Sequence, residues 1–166
     1  MTKAVKPIPE GVHTVTPYLI VRGADRALDF YKKAFGAQET VRMPGPTGKI
    51  MHAEFRIGDS VVFLSEEAPN MGSVAPQPGT PTPISLHLYV EDVDAAYKRA
   101  IAAGATSQML PADMFWGDRF SKVSDPFGHA WSIATVKEQL TPEEMGKRAN
   151  AFFAEMAKQG GSSAGA

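Results

Sequence analysis

His52, Glu54 and Arg56 occupy alternate positions of the stretch Lys49 to Ile57, and they are the first place in this sequence where chemistry can be sought. Residues two apart on a strand share a face. Met51, Ala53, Phe55 and Ile57 would then turn to a core, leaving an imidazole, a carboxylate and a guanidinium side by side on the other face. A carboxylate beside these partners suits general acid/base work, because burial and neighbours set which form carries the proton. The same residues also suit a plainer arrangement, with Glu54 and Arg56 paired on the strand face and His52 and His87 as hydrogen-bonded interior histidines. A third arrangement, a three-ligand metal site of His52, Glu54 and His87, requires His87 to reach across from another strand.

A second constellation is Trp116-Gly117-Asp118-Arg119, where an aromatic face beside a guanidinium would make a platform for a flat or anionic ligand. Its structural alternative is a strand start with Trp116 covering the core. Tyr18, Phe63, Tyr89 and Phe115 could wall a cavity or pack a core. His13 and His129 fall beside turns and are expected to face solvent or brace them. No Gly-x-Gly-x-x-Gly or Walker loop, Gly-x-Ser-x-Gly elbow or His-Glu-x-x-His helix is present.

The elements that must position these residues come in two similar sets, about 69 residues apart. Leu19-Ile20-Val21 leads into an amphipathic stretch, Ala24 to Phe35, stopped by Gly36; Leu88-Tyr89-Val90 leads into Val93 to Ala103, stopped by Gly104. Strand-like runs follow each helix. The first set gives strands over Thr14 to Val21, Glu39 to Met43, Lys49 to Ile57 and Val61 to Ser65, with a hairpin turn at Gly58-Asp59. The second gives Ser85 to Val90, Ser107 to Leu110, Arg119 to Ser124 and His129 to Val136. Pro17 marks the first strand as one that pairs on one side only.

Residues 1–11 read as an N-terminal arm, 12–67 as the first module, 68–83 as a Pro/Gly-rich linker or lid, and 84–137 as the second module. Thr141-Pro142-Glu143-Glu144 starts a helix over 141–158 that presents Met145, Ala149, Phe152, Phe153 and Met156, and 159–166 form a tail. A strand–helix–strands unit alone leaves an apolar sheet face uncovered, so the expected fold class is α+β, two βαβββ modules around a shared core with a cavity between them.

The 166 residues suffice for one sizeable core. With 17 basic and 18 acidic residues scattered along the chain, no basic stripe points to nucleic acid. No apolar run reaches membrane-span length, so no membrane partner is expected. The absence of cysteine removes disulfides and thiolate ligands and fits the cytoplasm.

Laid out this way, the chain resembles the vicinal oxygen chelate superfamily, and within it the PhnB-like, glyoxalase/bleomycin-resistance-like branch. The resemblance spans about residues 12–137. It rests on Thr16-Pro17-Tyr18-Leu19, Phe30-Tyr31 with Phe35-Gly36-Ala37, Met51-His52-Ala53-Glu54, Ile57-Gly58-Asp59, His87 to Asp94, Trp116 to Arg119 and Asp125-Pro126-Phe127-Gly128-His129. It implies the glyoxalase/bleomycin-resistance/dioxygenase fold, its strands curling around a cavity, in a homodimer whose subunits can exchange modules. It also implies a small-molecule ligand.

Carried across from that family, the metal-ligand positions fall on Thr16, Phe63, Ser85 and Ser132, none of them a histidine or carboxylate. The expectation is therefore no metal and no cofactor. The face that would then meet a ligand comprises Tyr18, His52, Glu54, Arg56, Phe63, His87, Tyr89, Trp116 and Arg119. Sequestering relatives carry strongly acidic grooves for a cationic drug, and the near-neutral charge here argues against that drug. A binding protein is the leading expectation. The alternative is a lyase or isomerase using a displaced metal or metal-free acid/base chemistry through His52 and Glu54.

Overall fold

The computed structural model describes residues 6–160. Part of the expected 1–11 arm and nearly all of the 159–166 tail lie outside the described residues.

The first module consists of β1 (Tyr18–Val21), α1 (Ala24–Phe35), β2 (Gln38–Pro44), β3 (Ile50–Ile57) and β4 (Ser60–Glu66). The second consists of β5 (Ser85–Tyr89), α2 (Val93–Ala103), β6 (Thr106–Asp113), β7 (Asp118–Ser124) and β8 (Ala130–Val136), followed by α3 (Pro142–Gly160). Each module is a four-stranded mixed sheet, ordered β1-β4-β3-β2 and β5-β8-β7-β6. In both, the strand before the helix pairs parallel with the last strand. The architecture is the α+β pair of βαβββ modules with a C-terminal helix, and neither sheet closes into a barrel.

Both α1 and α2 start and stop where their apolar period does. Gly36 and Gly104 end them in the left-handed conformation, where a side chain is disfavoured. Asp92 caps α2 by accepting from the Ala95 N–H at 3.0 Å. The N-cap of α1 is a glycine, and its exposed N–H groups are met from β4 instead, the Glu66 carboxylate accepting from Gly23 and Ala24.

One core serves both modules. Tyr31, Phe35 and Leu28 of α1 pack with Phe55, Leu64 and Val21 of the first sheet and with Trp131, Ile133 and Val123 of the second. Removal of each such side chain from water contributes about 2 kcal/mol. The helices lie against each other, and the Arg99 guanidinium donates to the Ala34 carbonyl at 2.8 Å.

A buried carboxylate knots this core together. Asp125 accepts from the Tyr31 hydroxyl at 2.7 Å, the Trp131 indole N–H at 2.9 Å and the backbone N–H groups of Phe127 and His129, both at 2.9 Å. Burial first, then the neighbouring Asp125 charge, pushes the Tyr31 phenol well above its ordinary range. His129 braces the same turn from outside, its ring nitrogen meeting the Ile20 carbonyl at 3.0 Å.

The 68–83 segment is pinned to the first module along its first half. Arg22 donates to the carbonyls of Ala75 and Pro76 and to Glu67, and Glu67 accepts from the Ala75 N–H. Among the described residues no helix is long and apolar enough to cross a membrane.

Candidate functional site

The side chains singled out in the sequence, Arg119 excepted, gather on two sheet faces, each opposite its module's helix. On the first face, β1 and β3 are separated by β4, and the register places Tyr18 beside Phe63 and Phe63 beside Glu54. The Tyr18 hydroxyl lies 3.1 Å from His52 Nδ1, and His52 Nε2 lies 3.2 Å from Glu54 Oε1. A carboxylate accepts only, so in the neutral imidazole Nε2 carries the proton toward Glu54 and Nδ1 accepts from Tyr18. The result is a relay of phenol, imidazole and carboxylate. Phe63 meets both the Tyr18 and the His52 ring edge-on, at 5.8 and 5.1 Å between centroids.

Arg56 does not join this relay. Its guanidinium donates to the carbonyls of Asp59 and Gly11, bracing the β3–β4 turn, and the strand-face pair of Glu54 with Arg56 does not form.

On the second face, His87 Nδ1 lies 2.7 Å from the Ser132 hydroxyl. The His87 ring meets Tyr89 edge-on at 4.6 Å and stacks on Phe120 at 6.0 Å. Phe120 meets Trp116 at 5.6 Å, and the Trp116 N–H donates to Asp118 at 3.1 Å. Phe115 continues the line from Trp116 to Phe152 of α3, at 5.1 and 5.0 Å. Tyr18 and Tyr89, 49% and 66% exposed, leave both faces open.

Arg119 goes the other way. Strand alternation sends it to the helix side of β7, where it makes a two-pronged pair with Asp94 of α2 at 2.6 and 2.9 Å and a bond to Asp113 at 3.0 Å. Hydrogen bonding to Arg119 holds the Asp94 carboxyl below its ordinary range. Trp116 and Arg119 therefore do not form one platform. Phe120 takes the place expected of Arg119, and sequence reasoning missed it. Lys122, on the same face of β7, was missed too. The signal for both is parity along β7, which is fixed only once Ser132 is known to pair with Lys122.

The four positions aligned with the family's metal ligands offer poor donors. Thr16 donates to the His13 carbonyl, Ser85 to the Ala130 carbonyl, Ser132 is engaged by His87, and Phe63 supplies a ring. Hydroxyls and a phenyl group do not fit zinc, nickel or a hard divalent ion, which need imidazole, carboxylate or an equivalent oxygen. Within one chain the displaced set of His52, Glu54 and His87 is not brought together. Among the described residues no group of three His, Asp or Glu side chains converges, and His87 is in the other sheet from His52 and Glu54.

A groove of about 960 Å³ runs along β5, between Leu86 to Val90 on one side and the Ile57 to Val62 hairpin on the other. No hydrogen bond or ring contact joins the first face to the second among the described residues.

Comparison with known proteins agrees with this architecture. An uncharacterized protein of Mycobacterium tuberculosis is 43% identical over 134 residues, covering 79% of each chain. The anthracycline biosynthesis protein DnrV of Streptomyces peucetius is 30% identical over 121 residues, covering 72% of this chain and 40% of DnrV. The structure of a PhnB protein from Bacillus cereus superposes with a TM-score of 0.59 at 17% identity, covering 74% of this chain and 99% of that one, a likeness of fold. The family model for the Glyoxalase/Bleomycin resistance protein/Dioxygenase superfamily matches residues 11–133. With that match laid over both modules, the chain belongs to the Glyoxalase/Bleomycin resistance protein/Dioxygenase superfamily.

Proposed function

We propose that this chain is a small-molecule-binding protein of the glyoxalase/bleomycin-resistance type that works without the family's metal. In its homodimer, the first face of one copy closes against the second face of the other. The observation that carries this reading is the pair of open faces, each an aromatic wall with a few fixed polar groups, which is the composition of a ligand pocket cut in half. The free edges of β1 and β5 and the exposed Ile84 beside β5 give a second copy somewhere to sit. A flat ligand suits the rings of Tyr89, His87, Phe120 and Trp116. The name of DnrV points the same way, since anthracyclines are fused-ring compounds.

The relay from Tyr18 through His52 to Glu54 favours a second reading, a metal-free acid/base enzyme in which Tyr18 or His52 moves a proton on the bound molecule. Changing Glu54 to Gln and His52 to Ala would abolish turnover under that reading and only weaken binding under the first.

Elemental analysis of untagged protein, with thermal melting in chelator and in a series of divalent ions, tests the metal-free premise. The expected result is no stoichiometric metal and no shift. A bound ion with a melting rise of several degrees would overturn it.

A further inference from the structure

We propose that Lys122 selects the charge of the ligand, and that the second face takes a flat aromatic molecule bearing an anionic group. This rests on the reading of that face as half of the binding cavity.

Register fixes where Lys122 stands. His87 pairs with Ser132, Ser132 with Lys122 and Lys122 with Met109, forming one row across the sheet. The next row is Tyr89, Ala134, Phe120 and Ala112. Cross-strand partners project to the same side of a sheet. Lys122 therefore rises beside the ring of Phe120 and the His87–Ser132 pair, one row from Tyr89.

Five other cations of the two modules are matched to acids. Arg22 pairs with Glu67, Lys32 and Arg42 with Glu39, Lys49 with Glu66 and Arg119 with Asp94. Lys122 is exposed, and among the described residues it has no ion pair and no side-chain hydrogen bond. The recess beside it, about 200 Å³, is lined by neutral groups: Thr80 and Thr82 from the linker, Gln108, and Ser124. The carboxylate nearest in sequence on that face, Asp118, is buried and holds the Trp116 N–H.

An ammonium with no acid paired to it on its own sheet, hydroxyl and amide donors to one side and stacking rings to the other, is the complement of an aromatic carboxylate or sulfonate. The rings take the planar body, Lys122 takes the charge, and Thr80 and the second N–H of the Gln108 amide supply further hydrogen bonds to the anionic oxygens. The repeat sharpens the contrast. About 69 residues earlier, Phe63 stands where Ser132 does, and the β3 residue beside Phe63 is Glu54. One module thus carries a carboxylate where the other carries an ammonium.

The test uses two probes of one shape, 2-naphthoate and neutral 2-naphthamide, titrated into the full-length protein and followed by calorimetry. Wild type is expected to bind naphthoate about tenfold or more tightly than the amide, a preference that falls as salt is raised. Lys122→Ala should remove that preference and leave amide binding within about twofold, Lys122→Glu should invert it, and Lys122→Arg should restore it. Phe120→Ala should weaken both probes equally. Equal binding of both probes to wild type, or a preference unchanged in Lys122→Ala and in high salt, would overturn the role of Lys122 while leaving the face as a site. Failure of both probes to bind, or indifference of both to Phe120→Ala, would overturn the face as a site and the role of Lys122 with it.

Discussion

Asp125 is the residue on which the two modules most depend, and the reason is a count of donors. Four N–H or O–H groups converge on its two oxygens, from α1, from β8 and from the turn between β7 and β8. An amide at this position keeps one acceptor and turns an NH2 group against donors that have nowhere else to go. Asp125→Asn should therefore cost roughly 3 kcal/mol, close to a broken buried charge interaction. For a chain of this size that is a fall in melting temperature of about 8 °C. A loss below about 1 kcal/mol in denaturant titration would mean that the knot relaxes around the amide and is not what joins the modules. Asp125 lay within a motif that the sequence displayed. Its bond to Tyr31 was not legible there, because Tyr31 is 94 residues away.

At the scale of elements, a turn decides how α3 is held. Gly117, between β6 and β7, has φ +100°, and its carbonyl accepts from Lys137 and Glu138, the segment that leads from β8 to α3. A Cβ added there would lie 2.5 Å from the Glu138 carbonyl oxygen. Gly117→Ala combines a disfavoured backbone conformation with a backbone clash, so it should cost roughly 2 kcal/mol and release residues 137–141 to limited proteolysis. Unchanged digestion would show that the Arg148–Glu138 pair and the Phe115–Phe152 contact hold α3 without the turn. Helices were the most legible elements: the apolar period and the glycine stops of α1 and α2 place both ends at the observed residues. Strand ends were less so. Thr14 to Pro17 are rich in β-formers, yet β1 begins at Tyr18, where its pairing with Phe63 begins. β6 runs past Leu110 through Pro111 because it is an edge strand, where a missing N–H costs nothing. Site residues divide in the same way. The His52–Glu54 half of the relay follows from alternation inside β3, whereas Tyr18 joins it from β1. Arg119 and Phe120 exchange roles because the parity of β7 depends on a register no local pattern encodes.

For the whole molecule, the proposed exchange of faces makes a prediction that an ordinary dimer does not. If each cavity joins the first face of one copy to the second face of the other, a dimer of two differently damaged chains contains one cavity with both lesions and one with none. One chain carries His52→Ala and Glu54→Ala, which remove the relay; the other carries His87→Ala and Phe120→Ala, which remove the stacked wall. Each damaged chain alone should bind the naphthyl probes weakly. Unfolded together and refolded at equal concentration, they should recover tight binding in about a quarter of the cavities, since random pairing makes half the dimers mixed and half of their cavities whole. Cavities formed within single chains would stay damaged in every combination, and no binding would return. Sedimentation of the wild type supplies the control. A monomer at the concentration of the binding assay would remove the premise, whereas a dimer without complementation would leave the interface and place each cavity within a single chain.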